Sequence, residues 1–322
     1  MNRTGRLIGI VLFCAAVVML LSSALRAESP KELRAVTEEE IAKITAALPS
    51  KPVVEAKPRK MLVFWRCEGF FHGSIPVVNK AMEMMGKKTG VYDVVITDDY
   101  SVFTPEKLKE FDAVCLNNTV GLKFNPQETA DRCKSLMDFV KGGKGIIGIH
   151  AATDNFREAP YEWPEGMEMM GGKFTGHPWE ARGVLSSKMD VPPDLEVRQY
   201  KGEGWAIKLD VPDHPLVAAF KGKGFKIIDE IYRTEPPLYS RSKQLVLMSL
   251  DMSDPATKAK ASKPSDEDTG ISWVKNVGEG RVFYCSLGHN DEIFMNEAIL
   301  QHYLAGIQFA FGDYKIDTKP KP

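Results

Sequence analysis

The stretch GKGIIGIHAATDNF, residues 143–156, decides the fold. Two glycines lead into a short apolar run, Gly145 to Ile149, which then meets a turn of small and polar residues. An apolar run of this length bounded by turn signals suits a strand buried on both faces, and such strands belong to parallel sheets covered by helices. At the apex of the turn, where many α/β enzymes of this layout carry a nucleophilic Ser or Cys, stands His150. Histidine is a poor covalent nucleophile but a good general base or metal ligand.

Upstream the same unit repeats. MLVFW (61–65), YDVVITDD (92–99) and DAVCLNN (112–118) read as strands. Between them lie a helical pattern on Ile75, Val78, Ala81, Met82 and Met85, a Thr-Pro helix start at 104–111, and a helix from Pro126 to Val140. Four alternations of strand and helix predict an α/β three-layer sandwich with a mostly parallel central sheet.

Downstream the pattern changes. Tyr161 to Arg182 is rich in Gly, Pro and aromatics without periodicity and is expected to be a long functional loop or lid. VLSSKMDV (184–191), LEVRQY (195–200) and WAIKLDV (205–211) suggest short edge strands. The sheet pattern resumes in FKIIDEIYR (225–233), QLVLMSL (244–250), ISWVKNV (271–277) and GRVFYCSLGH (280–289), followed by an amphipathic helix from Ile293 to Phe311. Residues 251–270 are polar and are expected to form a mobile surface loop.

The first residues carry Arg3 and Arg6, an apolar run from Leu7 to Leu21, and then small residues, the pattern of a secretory signal peptide over 1–27. The run is shorter than the ~20 residues a spanning helix needs. Membrane contact is therefore expected only through this segment before cleavage, after Ala24 or Ala27, and the product is expected to be exported, periplasmic or extracellular. Residues 28–60 form an N-terminal extension and Pro/Lys linker, 61–314 the catalytic body and 315–322 a tail. Removing 1–27 takes away three Arg and no acid, moving the formal charge from −1 to −4. No basic patch for nucleic acid is left, and no nucleotide cofactor is indicated. The four remaining cysteines, Cys67, Cys115, Cys133 and Cys285, match no C-x-x-C motif and are expected to be small buried hydrophobes.

In an open parallel sheet, ligands bind beyond the carboxyl ends of the strands. Glu68 and His72 follow the first strand, Asn117 and Asn118 end the third, His150 and Asp154 follow the fourth, and His289 ends the last. His177, in the aromatic loop, is placed to fold over the same rim. His214, at a Pro turn, and His302, on the apolar face of the final helix, read as structural. A cluster of His72, His150 and His289 suits either a divalent metal such as zinc or general acid–base chemistry, and the residues alone leave that choice open. Asp229 and Glu230 are adjacent on an expected strand, so only one of them can face a cleft. Phe70, Phe71, Phe156, Tyr161, Trp163, Phe174 and Trp179, with the amides of Asn117, Asn118 and Asn155, suit a sugar ring with its apolar face and hydroxyls.

The motifs FHG (71–73), GIHAATD (148–154), GGKFTGHP (171–178), DHP (213–215), DEIY (229–232), GEGRVFYCSLGH (278–289) and LAGIQFA (304–310) resemble the trehalose-utilisation (ThuA-like) family in order and spacing over residues 61 to 312. That resemblance implies the flavodoxin-like fold of class I glutamine amidotransferases. No mature cysteine stands at the apex, so a Cys-His-Glu amidase is excluded. It further implies carbohydrate metabolism: an exported lyase or hydrolase acting on a glycoside or keto-glycoside, sometimes with a bound divalent metal, and a small-molecule carbohydrate as partner. A keto group acidifies the neighbouring C–H, so a base can remove that proton while a metal or donor stabilises the charge. Under this reading His150, Asp154 and Glu230 are the catalytic candidates, with Glu230 ranked last. His72, His150 and His289 are the metal candidates. Asn117, Asn118, Phe71, Trp163, Phe174 and His177 are the substrate-binding candidates. The rivals are a non-catalytic carbohydrate-binding protein and a metal-dependent hydrolase of a non-sugar substrate.

Overall fold

The structure is a computed structural model describing residues 32–124, 126–180 and 204–321, without the side chains of 126–131. The signal segment and the strands expected at 184–191 and 195–200 lie outside the described residues. Among the described residues, no helix is long and apolar enough to cross a membrane.

The strands are β1 (Lys60–Phe64), β2 (Asp93–Thr97), β3 (Ala113–Asn117), β4 (Gly145–Ile149), β5 (Trp205–Leu209), β6 (Phe225–Ile227), β7 (Leu245–Leu250), β8 (Gly270–Val277) and β9 (Gly280–Cys285). They form one nine-stranded sheet in the order β2-β1-β3-β4-β9-β8-β7-β5-β6. From β2 to β9 every pairing is parallel. From β9 to β6 every pairing is antiparallel. The three-layer α/β architecture holds, with parallel pairing confined to one half of the sheet. The short Gly278 turn between β8 and β9 allows only antiparallel pairing, whereas the helical crossovers of the first half permit parallel pairing.

The apolar runs alternate between faces as a strand period of two requires. Met61 and Val63 pack under α1 (Glu38–Ala47), α2 (Ile75–Thr89) and α7 (Glu297–Ala310). Leu62 and Phe64 pack under α3 (Pro105–Leu108), α4 (Pro126–Lys141) and α5 (Pro164–Met170). Helix α2 buries the stripe Val78, Ala81, Met82 and Met85 and stops at Gly90, whose φ of 68° terminates it in the left-handed region. Helix α7 is buried almost all round rather than on one face, because the turn Pro215–Phe220 and, to a smaller extent, α1 pack on it in addition to the sheet. Gln308 accepts from the N–H groups of Val53 and Val54, and Arg34 pairs with both Glu40 and Asp291.

Two expectations are corrected. Residues 161–180 are not a plain loop: they hold α5 and are fastened to the sheet end by bridges from Phe174 to Thr234 and from Trp179 to Ile231. The polar stretch 251–270 is also built into the body, with the short helix α6 (Pro255–Lys258) and buried Thr257, Asp266 and Thr269. Its polarity serves internal pairing: Asp266 accepts from the Arg233 guanidinium at 2.7 Å, and the Thr257 carbonyl accepts from Trp179 Nε1 at 2.9 Å.

All four described cysteines are buried and unbridged. His214 caps the turn at Pro215 by accepting from the Leu216 N–H. His302 is buried with Nδ1 at 2.7 Å from the Leu216 carbonyl and Nε2 at 3.0 Å from Ser272 Oγ, and burial lowers its pKa to about 4. A base depressed in the folded state stabilises the fold fully above its unfolded pKa near 6.5 and loses that contribution as pH falls toward 4, a swing of about 3 kcal/mol. His302→Gln is therefore expected to flatten the fall in melting temperature between pH 6.5 and 4, as followed by circular dichroism. An unchanged slope would contradict this.

Candidate metal centre

The topology gathers the chemistry at one rim. Strands β1, β3, β4 and β9 run parallel, and four antiparallel steps from β9 bring β6 back to the same direction. His72 follows β1, His150 follows β4, His289 follows β9 and Glu230 follows β6, so segments distant in sequence converge beyond the carboxyl ends.

These four side chains each offer one ligand atom, and the four atoms lie within 4.8 Å of one another. His289 Nδ1 is 3.3 Å from His150 Nε2 and 3.3 Å from Glu230 Oε2, and His150 Nε2 is 3.6 Å from the same oxygen. A tetrahedral centre with bonds of about 2.0–2.1 Å has edges of about 3.3–3.4 Å, so this triangle has the spacing of ligands around one small ion.

The surroundings fix which atoms face inward. His150 stands at φ +44°, a left-handed conformation that a non-glycine residue adopts at a cost of about 1–2 kcal/mol. It is held there by the Tyr284 hydroxyl, which donates to its carbonyl at 2.7 Å. His150 Nδ1 donates to the Ser286 carbonyl at 2.8 Å, which leaves Nε2 with its lone pair directed at the cluster. His289 is carried by a loop that Asp229 binds from beneath: Oδ2 accepts from the Gly288 N–H at 2.7 Å and Oδ1 from the Asn290 N–H at 2.9 Å. Gly288 has φ +145°, and a Cβ there would stand 2.9 Å from Ile149 Cγ2. Tyr232 completes the wall, its ring 4.3 Å from that of His150 and its hydroxyl 3.4 Å from His72 Nε2.

The electrostatics suit a cation. Burial pushes the Glu230 carboxyl up, but its interactions with the adjoining His150 and His289 rings outweigh it and hold the group well below the usual carboxylate range. Burial, reinforced by the neighbouring His150 and His289, drives the His72 pKa well below 6.5 and keeps it neutral. His72 Nδ1 is buried without a hydrogen-bond partner, an arrangement that costs free energy unless a ligand uses the ring. Three imidazoles and one carboxylate fit a divalent cation of the zinc class.

The remaining sequence candidates divide. His177 lies at the mouth, half-buried, with Nδ1 3.5 Å from both Glu180 Oε1 and Glu230 Oε1, and Phe174 stacks on it at 5.9 Å. Phe71 is half-buried against the apolar cluster that includes Trp65, Cys67 and Ile75. Asn117 is fully buried and donates to the Ile75 carbonyl and to Asn79 Oδ1; Asn118, also buried, donates to Asn117 Oδ1 and the Gly288 carbonyl. Trp163 packs in the core against Phe124 and Phe156. These two amides and this indole support the rim rather than line it. Asp154 is bound to Arg157 rather than to the histidines, and burial raises its pKa to about 6. Glu68 pairs with Arg66 and Lys123. The expected strand 225–233 ends at Ile227, so Asp229 and Glu230 diverge in an irregular segment, the former under the loop and the latter in the cluster. Tyr232 and the supporting role of Asp229 carried no sequence signal beyond their place in DEIY. Phe70, by contrast, projects 64% exposed, parallel to the His289 ring at 6.5 Å.

A family model described as ThuA, trehalose utilisation, matches residues 60–310. Among solved structures, a ThuA-like protein from Bacteroides uniformis is similar with a TM-score of 0.56 at 20% identity, over 80% of this chain and 92% of that one. A ThuA-like protein from Parabacteroides merdae gives 0.54 at 19%, over 82% and 93%. A cytoplasmic protein from Salmonella typhimurium LT2 gives 0.52 at 11%, over 78% and 99%. Similarity at these identities is one of fold. No curated protein sequence matches the chain.

Proposed function

Since this chain belongs to the trehalose-utilisation (ThuA) family, we propose that it is an exported enzyme that eliminates or hydrolyses a glycoside or keto-glycoside at a divalent-metal centre held by His72, His150, Glu230 and His289. The observation that carries the reading is the convergence of four ligand atoms within 4.8 Å, with His150 Nε2 turned inward by the Ser286 carbonyl. Export rests on the signal-like pattern of residues 1–27.

A divalent cation bound there would polarise a carbonyl or hydroxyl oxygen of the sugar as a Lewis acid. The chain's own residues supply the rest. Phe70, exposed beside His72 and His289, offers a flat apolar face to a pyranose ring. His177 stands outside the ligand set at the mouth and is the group placed to take a proton from substrate carbon and return it to the departing oxygen, with Glu230 Oε1 steadying its ring. Phe174 and Tyr232 close the wall behind it and exclude water.

The test is metal analysis of the protein purified without chelator, followed by turnover of a 3-keto-glucoside and its parent glucoside. About one ion per chain is expected, with keto-glucoside turnover lost on stripping and regained on re-addition. His177→Ala is expected to retain the ion while losing about 10²-fold or more in kcat. A chain that holds no ion at full metal supply would remove the metal reading. Sugar binding without any turnover would leave a binding protein.

A further inference from the structure

The segment before β1 lies outside residues 60–310, the span that the family model matches, and its composition is that of a tether. In the structure it is fastened to the rim that carries the metal centre. Leu33 packs on the apolar cluster that includes Ile75, Ala151 and Tyr232, which Phe71 and Phe174 also cover. Tyr232 walls the metal centre, Ala151 follows His150, and Ile75 lies three residues after His72. One residue past Leu33, Arg34 Nη2 donates to Asp291 Oδ2 at 2.9 Å, two positions beyond His289.

Arg34 is aimed before it meets Asp291. Its guanidinium takes Glu40 as a fork, with Nη1 donating to Oε2 at 2.9 Å and Nη2 to Oε1 at 2.8 Å. Glu40 is fixed in turn by the capping box of α1: its Oε2 accepts from the Thr37 N–H at 2.7 Å, and Thr37 Oγ1 accepts from the Glu40 N–H at 3.2 Å. A planar fork seated on one carboxylate presents its other N–H in a set direction, which a lysine ammonium does not. The incoming side of the His289 loop has its own clamps. The Gly288 carbonyl accepts from Ser74 Oγ at 2.8 Å and from Asn118 Nδ2 at 3.3 Å, and Asn290 Nδ2 donates to the Ile228 carbonyl at 3.1 Å. These hold residues 288 and 290. Asp291 opens the short turn Asp291–Met295, and α1 packs on that turn, with Ile44 buried in the same core as Ile293 and Phe294.

We propose that residues 33–47 are a positioning element for His289, with Arg34 fixing the outgoing end of the loop that carries it. The inference rests on the metal reading above and deepens it, since one ligand then depends on a part of the chain outside the family span. Asp229, Ser74 and Asn118 set where the loop begins, and Arg34 with α1 sets where it ends.

The test is calorimetric titration of the full chain with Zn²⁺, beside amide hydrogen exchange of the metal-free chain, for Arg34→Ala, Arg34→Lys and the control Lys43→Ala. Lys43 pairs with Glu39 on the same helix at 2.9 Å. Arg34→Ala is expected to weaken Zn²⁺ binding about five- to tenfold and to speed exchange over residues 289–295 by a similar factor, with exchange in β4 and β9 unchanged. Arg34→Lys should recover part of the loss, and Lys43→Ala should show none. Wild-type affinity and exchange in Arg34→Ala overturn the proposal. So does exchange that accelerates through the whole sheet, or a loss of the same size in Lys43→Ala, either of which marks a general effect on stability. If the wild-type chain binds no Zn²⁺ the metal reading falls by itself; local acceleration over 289–295 then still upholds Arg34 as the holder of the loop, and its absence overturns both.

Discussion

Replacing Glu230 by Gln is expected to lower metal affinity by about 100-fold or more and to abolish turnover, with the far-ultraviolet circular dichroism spectrum unchanged. The substitution keeps the shape of the side chain and removes its charge. That charge is what the site is organised around: Glu230 is the one carboxylate in the ligand set, and its interactions with the His150 and His289 rings hold it ionised against the cost of burial. Gln presents an amide that cannot carry the negative charge partly neutralising a divalent ion in a half-buried pocket. His150→Ala should act in the same direction and with similar size, since it removes an inward-facing nitrogen while keeping the Cβ that the left-handed backbone there already accommodates. Titration with Zn²⁺ followed by calorimetry, beside turnover of the keto-glucoside, reads both quantities. Wild-type affinity in Glu230→Gln would show that this carboxylate is no ligand.

Asp229→Ala is expected to cost about 3–5 kcal/mol of stability and about 10- to 100-fold in metal affinity. The carboxylate is fully buried, and burial raises its pKa even though the Gly288 and Asn290 N–H groups favour the charged form. Removing it leaves those donors unpaired under the loop that carries His289. Asp229→Asn is the informative companion. Its oxygen can still take the Gly288 N–H, but its NH₂ then faces the Asn290 N–H, so a smaller loss is expected. Urea unfolding with and without Zn²⁺ separates the two effects. An unchanged metal affinity in a destabilised Asp229→Ala would make the residue a support for the fold alone.

The histidines were legible in the sequence for a reason of geometry. A parallel sheet puts every strand's carboxyl end at one rim, so strand-end His72, His150 and His289 had to be neighbours once the alternation of strands and helices was recognised. Glu230 was ranked low because FKIIDEIYR has the composition of one unbroken strand, whereas β6 stops at Ile227 and the following residues twist to serve two different loops. Asp154 sits four residues after His150 and suggested a partner for it. Arg157, three residues further on, is the nearer charge and claims the carboxylate. Asn117, Asn118 and Trp163 look like ligand-binding residues by type, but type does not say which way a side chain points at a strand end, and these three point inward. The second half of the sheet was read as a continuation of the first. There β5 to β6 and β7 to β8 are joined by short helical turns and β8 to β9 by the Gly278 turn, none of them a helix long enough to cross the sheet, and the pairing is antiparallel. The polar stretch 251–270 misled for a related reason: its charges find partners inside the body, as Asp266 does with Arg233.

The position of β9 bears on the timing of assembly. This strand comes from the end of the chain yet lies between β4 and β8, so the parallel and antiparallel halves cannot join until residues 280–285 have emerged from the ribosome. His289 emerges after them and α7 later still. Three of the four ligands are thus made long before the fourth can reach them, and the nascent chain has no complete set to offer an ion. Under the metal reading proposed above, an ion could be held by the full set only after His289 has joined the sheet, so the ion taken up would be decided by what is available in the compartment where folding finishes, more than by the intrinsic ranking of metals for nitrogen and oxygen donors.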